Sequence, residues 1–189
     1  NNFVHPFNQF NKIDTTYNKY GEVTVNISKI YNKDEINYIN EEADKIIESK
    51  IKKNMSNKEK ITTIHNYIID RSKYATDDIR NKNPEGEYNK ASYILKNKYG
   101  TCGAYADLMS VFLYKFKINN IKVSSETHIW NLVKLNKDWY HLDLTWDDPI
   151  MKDGSDRLES LFLLIKYKRL QELNVGEHKF NEEVFKEAI

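Results

Sequence analysis

The spacing of apolar residues changes once along this chain, from a helical period to a strand period. Apolar residues recur every three or four positions in residues 34–53, 61–69, 91–97 and 105–116. Short runs typical of strands follow in residues 121–126, 128–135 and 139–146. Because the first spacing predicts amphipathic helices and the second an antiparallel meander, we predict an α+β fold.

The two ends of the chain carry weaker patterns. Val23, Val25 and Ile27 alternate with polar residues, which predicts a half-buried strand. We expect residues 1–55, this strand and the long first helix, to form an N-terminal extension packed on a core of residues 56–189. Residues 75–90 have the composition of a loop, and the segment from residue 158 predicts a strand or helix around 161–165 and then a helical tail.

Composition and charge exclude several classes of protein. Lys and Arg number 29 against 28 Asp and Glu, a formal net charge of +1 that gives no reason to expect a nucleic acid partner. No apolar run approaches the roughly 20 residues of a membrane span. The single cysteine excludes an intrachain disulfide and a multi-cysteine metal site. The chain opens with Asn1, and we expect any signal peptide or flanking domain to lie outside this sequence.

Cys102 is the first candidate for chemistry. It lies between Gly100 and Gly103, directly before the most apolar predicted helix. A sulfur at a helix N-terminus meets free amides and the positive end of the helix dipole, which favour a thiolate. The alternative is a small buried residue without reactivity, since unpaired cysteines are commonly buried.

His128 and Asp143 are connected by a predicted hairpin. A two-residue turn at Asn136-Lys137 would pair Leu135 with Asp138. Because side chains alternate across a strand, this register places His128 and Asp143 on one face as diagonal neighbours. A three-residue turn would place them on opposite faces.

Together these residues have the composition of a catalytic triad. Cys102 would be the nucleophile, His128 the base, and Asp143 the carboxylate that orients the histidine. The Cys102 amide would be one oxyanion donor. The candidates for a second donor or a substrate contact are Gln9, Tyr88, Trp130 and Asn131, and we expect Trp130 or Trp146 to shield the triad.

Three segments carry a resemblance to a known family. Residues 99–106 (YGTCGAYA), 128–133 (HIWNLV) and 139–149 (WYHLDLTWDDP) resemble, in order, the cysteine, histidine and aspartate motifs of the transglutaminase-like superfamily. Residues 59–74 resemble the helix that opens this core, so the resemblance covers roughly residues 56–165. One departure is Ala104, which separates Gly103 from the tyrosine of the cysteine motif.

The resemblance implies a papain-like core, with a cysteine-bearing helix packed on an antiparallel sheet that carries the histidine and aspartate. It implies acyl transfer through a thioester on a glutamine-type or peptide amide carbonyl, with no metal and no cofactor. It also implies a bacterial protein at the cell surface or outside the cell. Its substrates would be proteins or peptides, including those of the cell wall or surface.

Other residues have weaker claims. We expect His65, His141 and His178 to have structural roles, and the Asp147-Asp148 pair to form a turn that ends the last strand. Two alternatives to acyl transfer to an amine stay open: a cysteine protease or amidase, and a non-catalytic binding module of the same fold. A third possibility is an interaction domain organised by the helix at 34–53.

Overall fold

A computed structural model of the chain describes residues 1–148 and 160–189. Pro149, at the end of the third motif, and the start of the predicted tail at residue 158 lie outside the described residues. The helices are α1 (Lys33–Lys50), α2 (Asn57–Arg71), α3 (Asp77–Lys82), α4 (Ala91–Asn97), α5 (Cys102–Lys115) and α6 (Tyr167–Leu173). The strands are β1 (Phe10–Tyr17), β2 (Val23–Lys29), β3 (Lys73–Tyr74), β4 (Tyr99–Gly100), β5 (Asn120–Ser124), β6 (Ile129–Leu135) and β7 (Asp138–Leu142).

The order of elements confirms the predicted α+β fold. Strands β5, β6 and β7 form an antiparallel sheet in that order, and β3 and β4 form a short parallel pair. The register of β6 and β7 pairs Leu135 with Asp138, as the two-residue turn predicted. Asn136 in that turn has φ 57°, a backbone conformation that asparagine tolerates better than most residues.

Capping boxes begin the two long helices. Asn32 caps α1 by accepting from the amide of Glu35, while the Glu35 carboxylate accepts from the Asn32 amide. Ser56 and Glu59 make the same exchange at the start of α2, as the sequence indicated. Each pair satisfies amides that a helix start leaves free, so both helices begin at defined residues.

The antiparallel sheet has a different neighbour on each face. Val133 and Leu142 lie in one apolar cluster with residues of α1, α2, α4 and α5. Trp130 and Leu132, on the opposite face of β6, lie in a second cluster with Phe162 and other residues of the C-terminal segment. The sheet is therefore covered by helices on one side and by the C-terminal segment on the other.

A buried polar cluster ties the N-terminal segment to α5. The carboxylate of Asp107 accepts hydrogen bonds from Gln9 (2.8 Å) and Tyr31 (2.8 Å), and pairs with the ammonium of Lys122 on β5. Tyr31 also accepts from the amide of Ala91 at the start of α4. A charge inside a protein needs such partners, and here they fix the position of α5 relative to the sheet.

Three expectations for local structure were wrong. The β1–β2 hairpin is exposed and not half-buried: Val23, Val25 and Ile27 are 63%, 54% and 57% exposed. Residues 75–90 contain the short helix α3, although they were expected to be a loop. The segment 161–165 is irregular except for one bridge from Ile165 to His141, because its backbone pairs with the edge of β7 only there.

None of the helices within residues 1–148 and 160–189 has the length and apolar character that crossing a bilayer requires.

Gly100 allows α4 and α5 to approach closely, two residues before Cys102. A Cβ at this buried position would lie 2.9 Å from the Cβ of Ala104 and 2.9 Å from Cδ1 of Ile94. We therefore expect Gly100→Ala to lower the free energy of unfolding by about 1–3 kcal/mol, the usual range for overpacking. Gly176→Ala is the matched control, because nothing lies within 4 Å of its added Cβ. Equal urea midpoints for the two variants would contradict the tight contact.

Candidate active site

Cys102 is the first residue of α5 and is partly exposed. The preceding residue, Thr101, makes no capping hydrogen bond to the helix; its hydroxyl donates to the carbonyl of Tyr88 (3.3 Å). The Thr101 side chain therefore does not accept a hydrogen bond from an amide in the first turn of α5. A partly exposed cysteine residue thus lies where backbone N–H groups are available to a negatively charged group.

His128 and Asp143 meet beside the end of the β6–β7 hairpin. His128 lies directly before β6, and its Nε2 donates to Oδ2 of Asp143 at 2.6 Å. Both side chains are buried. The predicted strand through residue 146 is too long, since β7 ends at Leu142 and the chain then turns. The turn aims the Asp143 carboxylate back at the start of β6.

Four donors surround the Asp143 carboxylate. Oδ2 accepts from His128 and from Nε2 of His178, the latter at 2.8 Å. Oδ1 accepts from the amides of Thr145 (3.0 Å) and Trp146 (3.3 Å) in the turn after β7. A buried carboxylate with this many donors stays ionised, since each hydrogen bond favours the charged form.

The charges of His128 and Asp143 support one another. Burial alone would lower the pKa of His128, but its interactions with Asp143 and with Cys102 outweigh burial and raise the pKa above its ordinary value. Burial alone would raise the pKa of Asp143, but the hydrogen bonds from His128 and His178 hold that pKa below its ordinary value. Asp143 and Cys102 are therefore the two neighbours whose interactions raise the pKa of His128.

His178 is the site residue that the sequence analysis missed. It lies in a single 3-10 turn, Gly176–His178, in the C-terminal segment and is buried. Its ring stacks on Phe162 (centroids 4.8 Å apart) and meets the edge of Trp130 (4.9 Å). No pattern around residue 178 distinguishes it from a surface histidine, and only the tertiary fold brings it to Asp143.

Trp130 and His141 back the histidine. The Trp130 ring stacks on His128 with centroids 5.7 Å apart, and its Nε1 donates to Nδ1 of His141 at 3.0 Å. Nε2 of His141 donates to the carbonyl of Ala188 at 2.8 Å. Burial lowers the pKa of His141 to about 4. With both nitrogens engaged, His141 is a neutral support of Trp130.

The other predicted donors are engaged elsewhere. Nδ2 of Asn131 donates to the carbonyl of Ala106 and to Oγ of Ser110 on α5. Gln9 donates to Asp107, and the Tyr88 hydroxyl lies 3.2 Å and 3.1 Å from the carbonyls of Ile79 and Asn83. The structure therefore gives these side chains acceptors within the protein.

Trp146 and Tyr74 lie around the site. Nε1 of Trp146 donates to the exposed carboxylate of Glu177 at 3.2 Å, and its ring packs against His178 (5.6 Å). Tyr74 on strand β3 pairs with Gly100 on the parallel strand β4, and Gly100 lies two residues before Cys102. Burial raises the pKa of Tyr74, and the charge of Cys102 raises it further. Tyr74 is thus a neighbour of the sulfur that the motifs did not indicate.

The Asp147-Asp148 pair braces the turn after Asp143, in line with the turn expected there. Oδ2 of Asp147 accepts from His65 of α2 at 3.0 Å, and its Oδ1 accepts from the amide of Phe162 at 2.9 Å. The carboxylate of Asp148 accepts from the hydroxyl of Tyr105 on α5. Two helices therefore hold the turn that carries Asp143.

One group in the described part of the chain could supply metal ligands: His128, Asp143 and His178, whose ligand atoms lie within 4.8 Å of one another. Both histidine nitrogens lie at hydrogen-bond distance from the same carboxylate oxygen, and all three side chains are buried. Protons account for this geometry, and a cation would remove the hydrogen bond between His128 and Asp143.

Comparison with known proteins places the chain in a family. The model of the transglutaminase-like superfamily matches residues 44–144, which is more than half of the 189 residues. The chain therefore belongs to the transglutaminase-like superfamily. No curated protein matches the sequence.

The solved structures that are similar to this chain include the following two. The crystal structure of a TGase has a TM-score of 0.54 and 12% identity, over 78% of this chain and 47% of that one. A "Putative Cysteine Protease" from Cytophaga hutchinsonii has a TM-score of 0.42 and 12% identity, over 82% of this chain and 64% of that one. The chain thus spans less than two thirds of either protein. The first similarity supports the fold, and the second is too loose to support an argument.

The pKa shifts predict how Asp143 controls reactivity. While His128 stays protonated through neutral pH, it can hold a thiolate beside it; without the Asp143 charge, burial lowers the His128 pKa and the proton is lost. We expect iodoacetamide to alkylate the wild type readily at about pH 6, and Asp143→Asn about tenfold or more slowly. The single cysteine makes the measurement unambiguous. Identical pH profiles would show that Asp143 does not support the histidine charge.

Proposed function

We propose that this chain is a cysteine-dependent acyl-transfer enzyme that acts on a glutamine-type or peptide amide carbonyl. The observation that carries the proposal is the His128 ring, which is hydrogen-bonded to Asp143 and interacts with Cys102 at the start of α5. Membership of the transglutaminase-like superfamily supports the same chemistry. Cys102 is the nucleophile, His128 the acid and base, and Asp143 the orienting carboxylate.

The reaction follows from the charges in the site. The Cys102 thiolate attacks the amide carbonyl carbon, and the oxygen gains negative charge near the first amides of α5. The C–N bond breaks as the His128 imidazolium gives its proton to the departing nitrogen, leaving a thioester on Cys102. A second nucleophile then attacks the thioester while neutral His128 takes its proton, and the sulfur leaves as thiolate.

An amine and water are the two possible second nucleophiles. An amine gives a new amide, the transferase outcome, while water gives an acid, the protease or amidase outcome. The same three side chains serve both, and the exclusion of water from the cleft decides between them. We propose the transferase outcome on family grounds, with protein or peptide substrates at the cell surface or wall.

A binding module of the same fold is the competing function. A binding module does not require an ionised Asp143 that is hydrogen-bonded to His128, nor a cysteine at the N-terminus of α5. The partly exposed position of Cys102 and the four donors around Asp143 therefore favour the enzyme.

Replacement of the nucleophile tests the proposal directly. A glutamine-containing peptide and a fluorescent primary amine are incubated with the protein, and amine incorporation and ammonia release are both measured. We expect Cys102→Ala and His128→Gln each to lower the rate by about a thousandfold or more, because each removes a reacting group. His5→Gln is the control, a histidine of the N-terminal segment that contacts Phe7 and Tyr114.

The two products separate the outcomes. Ammonia release without amine incorporation, in wild type and control alike, would replace the transferase assignment with the hydrolase. Turnover that survives in Cys102→Ala would remove Cys102 from the mechanism altogether.

Tyr74 is the side chain that we propose as second oxyanion donor. Tyr74 pairs with Gly100, two residues before Cys102, and its raised pKa keeps the phenol protonated and able to donate. We expect Tyr74→Phe to lower kcat by about a hundredfold with little change in KM, as the loss of one oxyanion donor does. Tyr99→Phe, on the neighbouring strand β4, is the matched control. Equal kcat values for the two variants would exclude Tyr74 from this role.

A further inference from the structure

His178 and His128 bind the same oxygen of Asp143. Nε2 of His128 lies 2.6 Å from Oδ2 and Nε2 of His178 lies 2.8 Å from it. We infer that His178 is a positioning residue, which holds the Asp143 carboxylate in the orientation and charge state that His128 requires. This inference rests on the proposed function, since it assigns a role within the same site.

The remaining polar atom of His178 indicates its protonation state. Among the described residues, Nδ1 of His178 is a buried side-chain atom without a hydrogen-bond partner. A neutral ring with its proton on Nε2 donates to Asp143 and leaves only a lone pair without a partner. A charged ring would bury an unpaired N–H as well, which is more costly. The environment of Nδ1 thus leaves Nε2 as the nitrogen of His178 that donates to Asp143.

The hydrogen-bond pattern fixes the carboxylate in one orientation. An oxygen of a carboxylate has two lone pairs, and the two histidines take both of those on Oδ2. The amides of Thr145 and Trp146 occupy Oδ1. A rotation of the carboxylate would break contacts at both oxygens. Without His178, Oδ2 has one donor fewer, so the Asp143 pKa rises and the carboxylate gains freedom to turn from His128.

The His178 ring is itself held in place by its neighbours. Phe162 stacks on one face at an interplanar angle of 20°, while Trp130 meets the ring edge-on at 78°. The ring centroid of Trp146 lies 5.6 Å from that of His178, and Nε1 of Trp146 donates to Glu177. A ring locked by packing presents its Nε2 proton in a fixed direction, as a positioning residue must.

Two substitutions separate the hydrogen bond from the packing. His178→Phe keeps an aromatic ring between Phe162 and Trp130 but has no donor. His178→Gln loses the ring but places an amide N–H near the position of Nε2. The two variants are compared with the wild type by the rate of Cys102 alkylation and by kcat/KM, each measured as a function of pH, with thermal unfolding recorded for all three.

We expect His178→Phe to lower both rates at about pH 6 by about tenfold to hundredfold, the effect of one hydrogen bond to a charged group. Its acid limb moves to higher pH, because a raised Asp143 pKa protonates the carboxylate earlier as the pH falls. His178→Gln should keep the wild-type pH profile. A residue that served only to fill space would give the reverse order, with Phe unaffected and Gln impaired, and that result overturns the inference.

The same experiment separates this inference from the proposed function. A wild-type protein with a slow, unactivated Cys102 at about pH 6 rejects the proposed function. An activated wild type whose profile is unchanged in His178→Phe rejects only the role of His178. Should His178→Phe fail to fold, the Gln variant decides alone: a wild-type profile supports the inference, and a shifted profile in the folded variant overturns it.

Discussion

The buried carboxylate of Asp143 is the charge on which the site depends. Removing a carboxylate from water is strongly unfavourable unless the protein returns the lost hydrogen bonds. Here two ring nitrogens and two backbone amides return them. These four donors come from three places in the fold, so the chain can satisfy this one group only by assembling the strand start, the turn after β7 and the C-terminal segment together.

The surrounding structure maintains this assembly from two sides. Asp147 and Asp148 attach the turn after Asp143 to α2 and α5, while Trp130 and His141 tie the back of His128 to the C-terminal segment through Ala188. Cys102 is held independently, at the start of α5, which Asp107 anchors to the N-terminal segment. The His128–Asp143 pair and Cys102 are thus positioned by separate networks.

Much of this arrangement follows from local rules. A two-residue turn and the alternation of side chains were enough to place His128 and Asp143 on one face. The apolar stripe predicted a helix directly after Cys102, and α5 begins at Cys102 itself. Those inferences succeed because they use geometry within one hairpin or one helix, where sequence distance and spatial distance remain linked.

The errors arose where tertiary contacts decide. An alternating strand shows that one face is apolar, but whether that face is covered depends on the rest of the chain, and at Val25 it is not. Strand β7 ends at Leu142, earlier than predicted, because the carboxylate of Asp143 accepts hydrogen bonds from the amides that follow it. The sequence indicated only a structural role for His178, since 35 residues separate it from Asp143 and no periodicity joins them.

The position of His178 has a consequence for folding during synthesis on the ribosome. A ribosome releases the chain from its N-terminus, so the helix with Cys102 and the hairpin with His128 emerge while residues 160–189 are still being made. Until that last segment docks, one face of the sheet lacks its cover and Asp143 lacks one of its donors. The site around Cys102 is therefore incomplete until residues 160–189 have been made and have docked.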